Sequence, residues 1–295
     1  MSRIAYVNGR YLPHARAAVV IDDRGLQFSD SVYEVCLVLN RQMLDISAHL
    51  DRLERSLAAL DIPQPMSRPA LVTVMKRLVR RNRLRHTTLY LQATRGVAPR
   101  DHAFPEPAPR PGIIMTIKRF DPAALRRRQD HGVAVITTPD LRWRRCDIKS
   151  TSLLGNVLAK QAARTAGAFE GWMVDDSGLV TEGASTTAWI VTADNRLVTR
   201  ALGPDILPGV TRQAVQDVAA AAGLTVEERA FAPDEAAQAR EAFTVSTTAG
   251  VMPVTAIDGA PVGDGLPGAL TRRIVALHWS HVARETGYAP PHPAP

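Results

Sequence analysis

The sequence predicts an α+β fold, a mixed α/β chain with its strands and helices segregated, and three observations carry that prediction. Residues with strand preference cluster in hairpins and meanders: residues 4–12 fold around Asn8-Gly9, and several short runs follow one another between 171 and 199. Helical spacing of apolar residues is confined to separate stretches, as at Leu50, Leu53, Leu57 and Leu60. Strands and helices therefore do not alternate as they do in a doubly wound parallel sheet. At 295 residues the chain has room for two domains.

The first domain is expected over 1–120. After the opening hairpin come a strand at 17–21 and a β-branched and aromatic run at 31–40, which turns at Asn40-Arg41 into 42–44. Ser47 is placed as the N-cap of a helix over 49–60, and 69–81 forms a second amphipathic helix. Strands at 87–95 and 112–118 flank the proline-rich loop 96–111. A loop that long inside a compact domain is usually functional or disordered. The charged stretch 121–130 is expected as a linker.

The larger second domain, 131–286, opens with a strand at 133–137 and a helix over 152–166. A meander follows at 171–174, 179–182, 186–191 and 197–199, with turns at 175–178 and Asp194-Asn195. Pro208-Gly209-Val210-Thr211 opens a helix to 222, and 225–230 is a strand. A short helix at 233–240, a strand at 242–246, a hairpin of 254–257 with 260–262 on Asp258-Gly259, and a helix over 267–281 complete it. The proline-rich tail, 287–295, is expected to be disordered.

Composition excludes several classes of function. The 45% hydrophobic and 22% charged fractions are those of a soluble globular protein, and no stretch has the run of about eighteen apolar residues that a membrane helix needs. The N-terminus has no apolar h-region, and Cys36 and Cys146 form neither a CxxC pair nor a disulfide framework, so a cytoplasmic location is expected. A net charge of +7 draws attention to the arginine clusters at 80–85, 126–128 and 142–145. These are scattered among apolar periodic segments, and no nucleic-acid-binding motif accompanies them, so no nucleic-acid partner is expected. No GxGxxG, P-loop, GxSxG or HExxH pattern occurs, and His102 beside Asp101 is too little for a metal site.

The chemistry is sought in the lysines, because only four of the 36 basic residues are lysine: Lys76, Lys118, Lys149 and Lys160. Arginine stays charged near neutral pH, whereas a partly desolvated lysine can act as nucleophile or base. Lys76 and Lys160 fall on helices and are expected to be solvated, and Lys118 ends a strand. Lys149 precedes a Ser/Thr run that could open a helix; from this window alone it reads as a surface lysine in a turn.

Pyridoxal 5'-phosphate needs a lysine for its aldehyde, an acid for its pyridine nitrogen and a phosphate cup. Glu182 is such an acid, Gly209-Val210-Thr211 offers helix N-terminal N–H groups, Ser246-Thr247 adds hydroxyls and Arg52 a charged clamp. Each piece alone has a plainer reading, as a hairpin acid, a helix cap, a turn or a solvated arginine.

Together the pieces resemble the fold type IV pyridoxal-phosphate enzymes, which comprise branched-chain aminotransferases, D-amino acid aminotransferases and aminodeoxychorismate lyases. The resemblance rests on Gln27-Phe28-Ser29-Asp30-Ser31-Val32-Tyr33-Glu34-Val35, His49-Leu50-Asp51-Arg52-Leu53, Arg145-Cys146-Asp147-Ile148-Lys149-Ser150, Val180-Thr181-Glu182-Gly183 and Gly209-Val210-Thr211-Arg212. It implies that Lys149 bonds to the cofactor and shuttles the substrate's Cα proton, and that Glu182 pairs with the pyridine nitrogen. It implies that Arg52, Val210, Thr211, Ser246 and Thr247 bind the phosphate, with Leu207 under the ring. It makes 131–286 the cofactor-binding domain.

Within that family, the loop Thr94-Arg95-Gly96-Val97-Ala98-Pro99-Arg100-Asp101-His102 looks like the carboxylate trap of the D-amino acid aminotransferases. There an Arg-x-His pair, here Arg100 and His102, reaches the neighbouring subunit's site and works with a tyrosine matching Tyr33. The resemblance thus implies a homodimer. It also implies transamination of D-amino acids such as D-alanine with 2-oxoglutarate, giving a 2-oxo acid and D-glutamate. Tyr90 matches a further active-site position, and Thr248 joins the substrate-binding set. A branched-chain L-amino acid aminotransferase is the alternative, ahead of an aminodeoxychorismate lyase or an R-selective amine transaminase. Three departures stand out: Ser29 and Ser31 replace common glycines, and Thr187 replaces a frequent asparagine.

Overall fold

Asn8 and Gly9 both take positive φ, 45° and 94°, the geometry of a two-residue hairpin turn whose twist matches its strands. They join β1 (Ile4–Val7) to β2 (Arg10–Pro13) in a computed structural model that describes residues 3–290. The chain forms two compact units. The first runs up to Asp121 and takes in two distant segments, Ile148–Ser152 and Glu285–Gly287.

In the first unit, α1 (Arg24–Phe28) precedes β3 (Ser31–Leu39), β4 (Gln42–Met43), α2 (Ile46–Ala59), α3 (Arg68–Asn82), β5 (Thr87–Thr94) and β6 (Gly112–Arg119). Its sheet is antiparallel throughout, in the order β2-β1-β6-β5-β3-β4. The apolar stripes of α2 (Leu50, Leu53, Leu57) and α3 (Leu71, Met75, Leu78) bury against Val32, Cys36, Leu89, Leu91 and Met115 of that sheet.

Three local expectations differ. Residues 17–21 form no strand: no partner lies beside them, and Val20 and Ile21 are exposed, so strand preference without a neighbour produces only an extended loop. The helix of 49–60 begins three residues earlier, and Asp45, not Ser47, is its N-cap, with φ 49° and no side-chain cap. The helix α1, too short to show periodicity, is capped by Asp23, which accepts from Gly25 N at 2.8 Å.

The second unit comprises Pro122–Asp147, Leu153–Arg284 and the chain from Tyr288. Its elements are α4 (Pro122–His131), β7 (Val133–Pro139), α5 (Leu154–Thr165), β8 (Glu170–Val174), β9 (Val180–Gly183), β10 (Thr187–Val191) and β11 (Leu197–Thr199). Then come α6 (Val210–Ala221), β12 (Val226–Glu228), α7 (Pro233–Ala237), β13 (Glu241–Ser246), β14 (Gly250–Ile257), β15 (Ala260–Pro261) and α8 (Ala269–Thr286). The sheet is mixed, in the order β12-β11-β10-β13-β14-β7-β8-β9, with β15 beside β14. Its core gathers Val135, Trp172, Val180, Ile190, Phe231 and Val254.

The stretch 121–130, expected as a linker, is almost all helix α4, held by the buried Leu125 and Gln129. β14 starts at Gly250 rather than 254: Pro253, which reads as a strand breaker because it lacks an N–H, lies inside the strand opposite Phe243 of β13. Of the tail expected to be disordered, 291–295 lie outside the described residues, while Tyr288 packs its ring 6.1 Å from that of Trp279.

Candidate active site

Lys149 lies in the five-residue segment that joins the first unit, where its backbone is pinned from two sides. Its carbonyl accepts from Tyr33 N at 2.9 Å, and Val32 bridges to Ser150. Its N–H donates to Ser56 Oγ on α2 at 3.3 Å. The half-buried side chain carries Nζ to 4.3 Å from the centre of the Tyr33 ring, which stacks on Tyr90 at 5.7 Å. An ammonium over a tyrosine face is stabilised by the ring's quadrupole. The other lysines are disposed differently: Lys76 and Lys118 are exposed, and Lys160, expected to be solvated, donates to Phe169 O and Glu170 Oε1 at 2.6 and 3.2 Å.

Ser31, where glycine is common in the family, has a local role. Its hydroxyl meets that of Thr151 at 2.5 Å and accepts from Gln92 Nε2 at 3.0 Å, and Gln92 Oε1 accepts from the Tyr90 hydroxyl at 2.9 Å. The chain Tyr90–Gln92–Ser31–Thr151 thereby ties the lysine segment to β3 and β5. Burial, with Tyr33 adding to it, pushes the Tyr90 phenol up to about 12, so it remains a donor at neutral pH. Ser29 adopts φ 55° at the end of α1, the left-handed region that glycine enters at lower cost.

Arg52 projects from α2 onto Glu34 of β3, Nε to Oε1 and Nη2 to Oε2, each 2.8 Å, and His49 Nδ1 meets Oε2 at 2.7 Å. Burial alone would raise the Glu34 carboxyl, but the charge and hydrogen bonds of Arg52, then those of His49, hold it down at about 2. The guanidinium is therefore oriented by a buried carboxylate.

The loop after β5 is held by a second ion cluster. Asp30 Oδ2 accepts from Arg24 Nε at 2.8 Å and Arg95 Nε at 2.6 Å. Arg24 in turn donates to the carbonyls of Asp101 and His102 at 2.5 and 3.4 Å. Around the Phe28 ring sit the guanidinium of Arg100, 5.1 Å from its centre, and the imidazole of His102, 5.4 Å away. Arg100 and His102 are themselves exposed. Arg24 was not singled out in the sequence, because the loop carbonyls that it holds besides Asp30 lie more than seventy positions away.

In the second unit the remaining expected residues converge on the start of β10. Glu182, at the end of β9, accepts from Leu207 N at 3.3 Å through Oε2, and its Oε1 pairs with Arg142 Nη1. Arg142 also forks onto Asp140, Nε to Oδ1 at 2.9 Å and Nη2 to Oδ2 at 2.6 Å. Burial would raise the Asp140 carboxyl, yet Arg142 and the Thr181 hydroxyl hold it below the usual carboxylate range. Arg142 is a second residue that sequence reasoning missed, since it stood in a cluster of three arginines with nothing to separate it.

Three residues beyond Leu207, α6 begins at Val210 with Gly209 as its N-cap and no side chain capping it. A Cβ at Gly209 would come within 3.2 Å of Arg212 Cβ and 3.3 Å of Thr187 Oγ1, a tight fit that a bare backbone avoids. β10 pairs with β13 at Thr187–Val245, which brings the Ser246-Thr247 end of β13 to the same region. Ser246 and Thr247 are half-buried and Thr248 is exposed. An uncapped helix N-terminus beside hydroxyls, with a guanidinium-paired carboxylate a few residues away, is a donor set that suits a phosphate and a protonated pyridine nitrogen. The residues present therefore fit pyridoxal 5'-phosphate. No cluster of His, Cys, Asp and Glu able to hold a metal occurs among the described residues.

A lysine on a tyrosine face, an uncapped helix N-terminus and a two-unit α+β fold together define a class. Residues 31–257 match the family of amino-transferase class IV, and the chain belongs to that family: it is a transaminase of fold type IV. Among curated proteins it is similar to the D-alanine aminotransferase of Bacillus licheniformis, 41% identical over 281 residues, or 95% of this chain and 97% of that one. The D-alanine aminotransferase of Listeria monocytogenes serotype 1/2a is 38% identical over 282 residues, covering 95% and 96% of the two chains. Among solved structures, the branched-chain aminotransferase of Thermoproteus uzoniensis with norvaline superposes with a TM-score of 0.86 at 22% identity, covering 97% and 96%. A branched-chain aminotransferase of Escherichia coli gives 0.85 at 22% identity, covering 100% and 98%. At those identities the structural likeness speaks for the fold.

Proposed function

We propose that this transaminase moves the amino group of D-amino acids such as D-alanine to 2-oxoglutarate on pyridoxal 5'-phosphate, giving a 2-oxo acid and D-glutamate. The observation that carries this reading is the Arg100/His102 pair, presented on a loop that Arg24 grips by its carbonyls, in a chain 41% identical to a D-alanine aminotransferase. Bound, the cofactor supplies an electron sink for the charge left when the substrate's Cα–H bond breaks. Arg52, the N–H groups of Val210 and Thr211, and the Ser246 and Thr247 hydroxyls would take its phosphate. Leu207 would pack against its ring, and Glu182, backed by Arg142, would hold the proton on the pyridine nitrogen.

Lys149 would hold the cofactor through its amine, and its Nζ would accept and return the substrate's Cα proton. The Tyr33 ring lies 4.3 Å from Nζ, while Tyr90 stays a hydrogen-bond donor. A guanidinium and an imidazole at Arg100 and His102 grip the α-carboxylate, with Thr248 at the edge of the substrate site. The side on which that grip falls selects the enantiomer whose Cα–H faces the lysine.

The pair works in this reading from a neighbouring subunit, in a homodimer. Ile21, Leu26, Val97 and Phe104 are exposed at 77, 64, 43 and 56%, and large exposed apolar side chains of this kind are what a subunit contact covers. Cys36 and Cys146 are both free, as suits a reducing cytoplasm, and no helix among the described residues is long and apolar enough to cross a membrane. Side-by-side assays of D- and L-amino donors with 2-oxoglutarate test the reading. Turnover of D-alanine is expected. Turnover of L-leucine with none of D-alanine refutes it in favour of a branched-chain enzyme, and a monomer by light scattering refutes the shared trap.

A further inference from the structure

Gln129 stands on α4, 3% exposed, and its carboxamide is fully committed. Nε2 donates to the carbonyls of Ala249 and Val251, at 3.3 and 2.8 Å, and Oε1 accepts from the indole N–H of Trp279 on α8 at 2.8 Å. Two carbonyls and one N–H leave a single orientation for the amide. The two carbonyls flank Gly250, which closes the turn that begins at Ser246, and Ala249 N donates back to Ser246 Oγ at 3.2 Å. Gly250 takes φ +56°, and a Cβ there would stand 3.2 Å from Gln129 Nε2 and 3.4 Å from His278 Cε1. The turn is thus bare on the side where the amide closes on it, and its opposite arm carries Ser246 and Thr247.

The geometry points to Gln129, braced by Trp279, as a positioning residue that sets the Ser246-Thr247 turn for the cofactor's phosphate. This rests on the reading of those hydroxyls as phosphate ligands. A residue that merely satisfied buried carbonyls would affect binding of every cofactor form alike. One that sets the phosphate turn affects phosphorylated ligands selectively.

Apoprotein of the full chain is titrated with pyridoxal 5'-phosphate and, separately, with pyridoxal, following the visible absorbance that arises when the aldehyde bonds to Lys149. Gln129→Met keeps the side chain's length and removes its donors and acceptor. It is expected to weaken pyridoxal 5'-phosphate about tenfold, the effect of losing two hydrogen bonds that hold a binding turn, with pyridoxal little changed. Trp279→Phe keeps Gln129 but removes its brace, and is expected to show the same selective loss, smaller in size. It carries the test should Gln129→Met fail to fold. Equal losses for both aldehydes, or no loss for either, in the folded variants overturn the clamp. A wild-type chain that binds neither aldehyde overturns the cofactor reading, and the clamp with it.

Discussion

Replacing Glu34 by Gln removes the one carboxylate between Arg52 and His49, in a place where water cannot substitute for it. Glu34 and Arg52 expose 1% and 5% of their side chains, so the discount for solvent screening that surface pairs require does not apply. The carboxyl is held at about 2 against an ordinary 4.5. That gap of about 2.5 pH units, at about 1.4 kcal/mol each, makes the ionised carboxylate contribute between about 3 and 4 kcal/mol to folding. Because the folded value is the depressed one, this stability is fully present above pH 4.5 and is lost as the pH falls towards 2. Near pH 3 it has shrunk to somewhat under half of that. All four tryptophans, at 143, 172, 189 and 279, lie in the second unit, so their fluorescence reports little on this site. Hydrogen exchange of the β3 and β5 amides reports on it directly. The expected result is an opening free energy lower in Glu34→Gln by about 3 kcal/mol at pH 7, with the difference roughly halved at pH 3. A difference under about 1 kcal/mol at pH 7, or one that does not shrink with acid, would refute the ion-pair reasoning.

Other substitutions address the site more directly. Lys149→Ala is expected to abolish transamination, while the apoprotein still binds pyridoxamine 5'-phosphate, as read by calorimetry. Arg24→Met removes the donors that hold the carbonyls of Asp101 and His102. It should raise KM for D-alanine about tenfold with kcat less affected, the pattern of weakened carboxylate binding; an unchanged KM would show that the loop is held by other means. Arg142→Leu leaves both Glu182 and Asp140 without their guanidinium, and should cost about 3 kcal/mol or more in thermal or denaturant unfolding. A lowered kcat with cofactor bound would mark the loss at the pyridine nitrogen.

Local chemistry in the sequence determined much of this protein. Asn8-Gly9 specified its hairpin, the leucines of α2 specified a helix and its buried face, and β3, β5 and β6 followed from β-branched runs. The ordered set of motifs around Lys149, Glu182, Arg52 and Gly209 was legible as well, because each motif is a short contiguous stretch whose chemistry survives in one dimension. Segments whose conformation is decided by distant partners were not legible. Residues 17–21 have strand residues but no neighbouring strand, and α4 looks like a charged linker until Leu125 and Gln129 find something to bury against. Only the tertiary structure moved 148–152 into the first unit and set Lys149 on the Tyr33 ring. It alone gave Arg52 a carboxylate, Glu182 a guanidinium and the loop after β5 its anchor in Arg24. A buried charge must satisfy its donors wherever the fold brings acceptors: Arg24 pairs with Asp30 close in sequence, yet the Asp101 carbonyl it also holds lies 77 positions along the chain.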